Sequence, residues 1–158
     1  IMKIKLLVIG KTSATYLEEG IRIYLKRLTH YADFSLEVVP DIKGGGSLDT
    51  GKLKDLEAQA FLKRTGARDT VILLDENGKH FTSEEFSAQL GKWMMAGDKN
   101  LVFIIGGAFG FGEALINKAS VKLALSGMTF SHQMVRLIFV EQLYRAFTIL
   151  KGEAYHHK

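Results

Sequence analysis

The residues able to do chemistry crowd into the last third of the chain, at the ends of very apolar segments. Leu101–Gly112 reads LVFIIGGAFGFG, Val121–Phe147 reads VKLALSGMTFSHQMVRLIFVEQLYRAF, and the chain closes LKGEAYHHK. The cluster Gly106, Gly107, Gly110 and Gly112 either lets backbone approach a ligand such as an adenine or ribose, or simply turns the chain. A dinucleotide fingerprint would read GxGxxG after the first strand, with an acid about 20 residues on. Here the order differs, the predicted strand is the fourth, and His132 stands in the acid's place, so the pattern argues against a nicotinamide site. In Leu125–Phe130, Ser126, Gly127 and Thr129 offer hydroxyl and main-chain groups beside Met128 and Phe130. Apolar walls with a few such groups suit a buried purine. His132 is either first-turn decoration on the last helix or a ligand at its start. Tyr155, His156, His157 and Lys158 are either a frayed terminus or a tail set just beyond a buried helix whose C-cap is Gly152.

Other chemistries fall away. The chain has no cysteine, which removes disulfides, thiolate metal sites and cysteine nucleophiles and fits a reducing cytosol, so a cytoplasmic location is expected. No HExxH, Cys/His cluster or paired-carboxylate spacing implies a metal, and no GxSxG elbow implies hydrolysis. Asp75 and Glu76 read as loop polarity rather than catalysis. The apolar run in IMKIKLLVIGK is too short for a membrane span and has no leader-cleavage site. Ile1 precedes a methionine, which is the expected natural start.

The elements that must position these groups alternate. With 158 residues, 47% hydrophobic and 24% charged, the chain reads as one soluble globular domain spanning residues 1–158. Lys3–Ile9 is a nearly continuous apolar strand, so both its faces are covered. Thr15 and Glu18 match a capping box for a helix running to about His30. Phe34–Val39 alternates as a second strand, ended by Pro40. Lys52–Thr65 is a helix with Leu53, Leu56, Ala60 and Phe61 inward. Thr70–Leu74 is a buried strand, and Asn77-Gly78 signals a turn after it. Thr82 and Glu85 match a second capping box, for a helix ending near Gly97. Strand Leu101–Ile105, a short helix at Glu113–Ala119, strand Val121–Leu125 and a helix from Ser131 to Leu150 complete the chain. Strand and helix alternate five times, which predicts an α/β domain with a mostly parallel sheet. Ligands in such sheets bind beyond the carboxyl ends of the strands. Three loops leave there: Asp75–Gly78, Gly106–Gly112 and Ser126–Phe130.

Two further stretches carry expectations. Helix Ser131–Leu150 is apolar on too many sides for one stripe. Either it is fully buried or it forms a subunit interface, and the interface, in a two-fold dimer, is the favoured reading. Glu141 and Arg145 are spaced to pair on its remaining polar face. Lys43–Gly51, with Gly44–Gly46, reads as a mobile surface loop; a loop closing over RNA stays open as an alternative. The net charge of +4 is compatible with RNA without demanding it.

Five ordered motifs now fall into place: LDENGK (Leu74–Lys79), FIIGGAFG (Phe103–Gly110), LSGMTFSHQMVR (Leu125–Arg136), EQLYRAF (Glu141–Phe147) and KGEAYHHK. Together, across essentially the whole chain, they resemble the ribosomal large subunit pseudouridine methyltransferase H family, of the SPOUT class. The resemblance implies an α/β fold with a C-terminal trefoil knot, a homodimer, and S-adenosylmethionine as methyl donor. It implies methylation of N3 of a pseudouridine in helix 69 of 23S rRNA, on the assembled ribosome. Carried over by motif, cofactor contacts fall on Leu74, Gly106, Leu125, Ser126, Gly127, Met128, Thr129 and Phe130. Arg145, Tyr155, His156 and His132 are the candidates for the catalytic step, and Lys11, Arg22, Lys26 and Arg27 for dispersed RNA contacts. Family members usually carry proline where this chain has Ser131. Serine can cap the helix, and the loop before it is expected to be more mobile. The alternatives are a non-catalytic ribosome-binding or assembly factor, and a SPOUT methyltransferase with another RNA target.

Overall fold

A computed structural model describes residues 2–96 and 100–157. The expected helix end near Gly97 and the terminal Lys158 lie outside the described residues. Five strands, β1 (Lys3–Ile9), β2 (Asp33–Val39), β3 (Thr70–His80), β4 (Leu101–Ile105) and β5 (Val121–Ala124), alternate with five helices. These are α1 (Thr15–Leu28), α2 (Thr50–Leu62), α3 (Ser83–Met95), α4 (Glu113–Lys118) and α5 (Met134–Leu150). The strands form one sheet in the order β2-β1-β4-β3-β5, and every pairing is parallel.

The apolar runs explain the order. All five residues of β4 are buried, as a central parallel strand covered on both faces requires. Side chains alternate across the sheet. Ile4, Leu6 and Val8 of β1 join a core with α1, α3 and α5; Leu7 and Ile9 join a second core with α2 and α4. The chain thus leaves β3 for a helix on one face and leaves β4 for a helix on the other. Between those divergent exits a crevice opens at the carboxyl ends of the strands.

Three sequence expectations need correction. Asn77-Gly78 does not end β3. The strand continues to His80, and both Leu74 and Lys79 pair with Leu123 of β5, so residues 75–78 bulge out between two paired stretches. The local turn signal is real, because Asp75 Oδ1 accepts from Asn77 N at 3.0 Å, but the sheet recaptures the chain. Gly78 makes this fit: a Cβ there would lie 2.6 Å from the carbonyl of Lys122. The capping box at Thr82 and Glu85 forms, whereas the one at Thr15 and Glu18 does not. Thr15 is already inside α1, the N-cap is Ala14 without a side-chain bond, and Glu18 faces Arg22. Leu56 is 39% exposed, with Ala58 and Phe61 inward instead.

Part of the apolar surface of α5 is covered within its own chain. The helix packs against α1 and α3 of its own chain and fully buries Phe139, Val140, Leu143, Ala146 and Phe147. Much of its all-round apolar character is therefore spent inside the domain. Leu137, Ile138 and Tyr144 remain half-buried.

Candidate active site

At the carboxyl ends of β3, β4 and β5 lies a cavity of about 570 Å³, the size of a nucleoside-scale ligand site. Its floor is made by the strand ends Leu74, Ile105 and Leu123, and its walls by the three loops that leave them. Of the expected cofactor residues, Leu74, Gly106, Leu125, Ser126, Met128, Thr129 and Phe130 line it, and so does His132. Gly127 belongs to the same loop but faces His80, whose Cε1 lies 3.6 Å from where its Cβ would be.

Each wall is fixed by local bonds. Gly110 N donates to Gly107 O at 3.2 Å, closing a tight turn. Gly110 takes φ +91°, the left-handed region that glycine enters at no steric cost. A Cβ on Gly106 would meet Phe111 at 3.0 Å and the Gly110 carbonyl at 3.2 Å. The glycines thus serve the tight turn and its close packing. In the facing loop, Met128 N donates to Ser126 Oγ at 2.9 Å, and the Thr129 hydroxyl donates to the Glu76 carboxylate, joining two walls across the mouth. Ser131 Oγ accepts from Met134 N at 3.1 Å, which ties the loop to the first residue of α5, although the N-cap position is Gln133, without a side-chain bond.

One structural anchor escaped the sequence reading. Arg136 is 0% exposed. Its guanidinium donates to the carbonyls of Ile9 (2.7 Å) and Gly10 (2.8 Å) and to Thr12 Oγ1 (3.2 Å). Burial pulls its pKa down, while Asp41 acts against that. These bonds fix the first turn of α5, and hence the His132 wall, to the end of β1. The signal was an arginine inside the apolar run MVRLIFV.

The other candidates gather elsewhere. Arg145 lies eleven residues beyond Met134, roughly 16 Å along the axis at about 1.5 Å per residue. At the end of α5, Gly152 (φ +68°) donates to Ile149 O and Glu153 N donates to Thr148 O. This is a Schellman turn that folds the tail back onto the helix. Tyr155 and His156 are consequently half-buried rather than frayed. Arg145 donates to Glu141 Oε2 at 3.0 Å and meets His156 Nδ1 at 3.0 Å. A guanidinium can only donate, so Nδ1 accepts and the ring proton sits on Nε2, 3.3 Å from Glu84 Oε1. The Tyr155 hydroxyl donates to Glu141 at 2.9 Å and lies 3.2 Å from that of Tyr24. Burial, then the bonds to Tyr24 and Glu141, push its pKa up. Such a hydroxyl orients and donates; it does not act as a base. Within one chain, then, His132 is at the cavity, while Arg145, Tyr155 and His156 form a separate network.

Of the basic residues expected to meet RNA, Lys11 and Lys26 are exposed and Arg22 lies 3.4 Å from Glu18. Arg27 is engaged by the rings of Tyr24 and Tyr144, at 5.2 and 5.4 Å. Among the described residues, no group of three or more His, Asp or Glu could hold a metal, and no helix is long and apolar enough to cross a membrane.

The chain can now be set beside known proteins. The family model described as "Predicted SPOUT methyltransferase" matches residues 2–156, and the chain belongs to that family of methyltransferases. It is 54% identical to the ribosomal RNA large subunit methyltransferase H of Parabacteroides distasonis, covering 99% of this chain and 100% of that one. The protein of the same name from Porphyromonas gingivalis is 46% identical over the same shares. A solved structure of a probable methylase family protein from Haemophilus influenzae aligns with a TM-score of 0.56 at 13% identity, over 98% of this chain and 70% of that one. It supports the fold.

Proposed function

We propose that this chain is an S-adenosylmethionine-dependent methyltransferase acting on N3 of a pseudouridine in helix 69 of 23S rRNA, on the assembled ribosome and in the cytoplasm. The observation that carries the reading is the cavity at the strand ends, walled by the three loops of a methyltransferase-family chain. The names of the close relatives support ribosomal RNA as the substrate class. The reading includes a homodimer and a C-terminal trefoil knot that would hold loops 106–112 and 125–130 together.

The cavity fits the donor. Leu74, Leu125 and Phe130 give apolar walls for an adenine, and Asp75 and Glu76 bring negative charge suited to a cationic sulfonium. When bound, the cofactor supplies an electrophilic methyl group. Displacement on a sulfonium asks the protein mainly to position its reactants. N3 of the target base is protonated at neutral pH, so the protein must take that proton or stabilise the anion. Arg145 would stabilise the anion, Tyr155 would orient the base, His156 would accept the proton or contact RNA, and His132 would act from the start of α5. The network around His156 lies away from its own chain's cavity, so the tail of one subunit would serve the cavity of the other. Taking the proton requires His156 to free Nδ1 from Arg145.

Calorimetric titration with S-adenosylmethionine tests the donor, and absence of binding would leave only a non-catalytic ribosome binder. Mass spectrometry of rRNA from a deletion strain tests the target nucleotide. His156→Ala and Tyr155→Ala test the tail: unchanged methylation of ribosomes would remove it from the mechanism. Equal rates on ribosomes and naked rRNA would contradict the assembled-ribosome substrate.

A further inference from the structure

We propose that Phe109 and Met128 form a nucleobase clamp at the mouth of the cavity, against which the methyl-accepting base of the RNA is stacked. The inference rests on reading the cavity as a methyl-donor site. Both side chains line that cavity, yet they are 58% and 76% exposed. They come from two different walls. Scattered surface hydrophobics need no explanation, but two exposed ones that line a single cavity from different walls mark it as a binding surface.

Neither side chain is on a slack loop. Phe109 sits at the tip of the turn closed by Gly110 N and Gly107 O, which also form an isolated bridge. Met128 is held by its bond to Ser126 Oγ, and its neighbour Thr129 is tied to Glu76. Rigid turns that present apolar groups to solvent are preorganised for a partner.

The charge of the mouth selects the kind of partner. Asp75 and Glu76 line the same cavity and repel a phosphodiester. The part of an RNA that approaches here is therefore an uncharged, flat base splayed away from its backbone, with phosphate contacts made on other surfaces. Unstacked bases are recognised by stacking on aromatic side chains. Stacking on the base's face leaves its edge free to meet the methyl group, which requires an approach of about 3–3.5 Å.

The test uses the full chain with Phe109→Ala, Phe109→Trp and Met128→Ala. It reads S-adenosylmethionine Kd by calorimetry, the mass of the assembly by light scattering, and steady-state methylation of assembled ribosomes. Phe109→Ala should raise KM for ribosomes roughly tenfold to a hundredfold, the range of one lost base stack. In Phe109→Ala the donor Kd and the mass of the assembly should not change. Phe109→Trp should restore KM, and Met128→Ala should raise it less. An unchanged KM in Phe109→Ala overturns the clamp. So does a donor Kd that weakens in step, which would make Phe109 part of the donor pocket. A fall in the mass of the assembly also overturns it, since the patch would then be a contact between copies. A wild-type chain that binds no donor defeats the methyltransferase reading itself, and shows this before any substitution is made.

Discussion

The cavity and the tail network sit at opposite ends of α5 and are built in opposite ways. The cavity is made of strand ends, main-chain turns and apolar walls; its shape is fixed by the sheet. The tail network is made of charged and phenolic side chains bonded or ion-paired to one another, Glu84, His156, Arg145, Glu141, Tyr155 and Tyr24, with Arg145 Nε and His156 Nε2 buried without a hydrogen bond. A cavity of the first kind is ready for a ligand before it arrives. A network of the second kind is held by its own bonds and has to be rearranged, or met by another molecule, before it can act. On the proposed reading, positioning would belong to the fold and proton handling to side chains whose resting partners must be exchanged.

Substitutions can break this comparison at different points. Arg136→Ala should do the most damage, because it strands two carbonyls and a hydroxyl and loosens the helix that carries both regions. A loss of about 3–5 kcal/mol in urea unfolding is expected, with donor binding and methylation falling together. Gly78→Val should strike the cavity alone. Overpacking against β5 costs about 1–3 kcal/mol, and donor Kd should weaken. Glu141→Gln should strike the tail alone. It removes the charge that Arg145 and Tyr155 share, so methylation should fall while calorimetric donor Kd holds; equal loss of both would show that the regions are not separable.

Smaller effects calibrate the scaffold. Thr82→Ala should lower the melting temperature by about 2–4 °C without touching donor Kd. Bonds to Thr82 hold the Glu85 carboxyl below its usual range. A depressed carboxylate contributes stability above its unfolded pKa and loses it as pH falls through the folded value. Urea midpoints of wild type and Glu85→Ala should therefore converge in acid. At the alkaline end, the bond to Glu153 pushes the Tyr31 hydroxyl from 10.0 up to about 12. Its contribution is present below pH 10 and fades as pH climbs through about 12, and Tyr31→Phe should flatten that part of the profile.

Much of this was written in local pattern. Continuous apolar runs determined that β1, β3 and β4 are covered on both faces, because a strand with two buried faces has no use for alternation. The Thr82–Glu85 spacing and Gly152 determined where α3 starts and α5 stops, because caps are local bonds. The three strand-end loops were legible for the same reason, and seven of the eight expected cofactor residues line one cavity.

Tertiary structure decided the rest. Asn77-Gly78 looks like a chain reversal, yet β5 recaptures the strand, because a long-range ladder outweighs a local turn preference. Thr15 and Glu18 have the spacing of a cap, but α1 begins at Thr15 itself, so the pattern never meets a free helix end. Arg136 reads as one polar residue in an apolar stripe; only packing shows that it closes the end of β1. His132 and His156 look equivalent in sequence, and the length of α5 puts one at the cavity and the other in the tail. Bonds between near neighbours are fixed by sequence spacing, whereas the meeting of distant groups depends on where every intervening element packs.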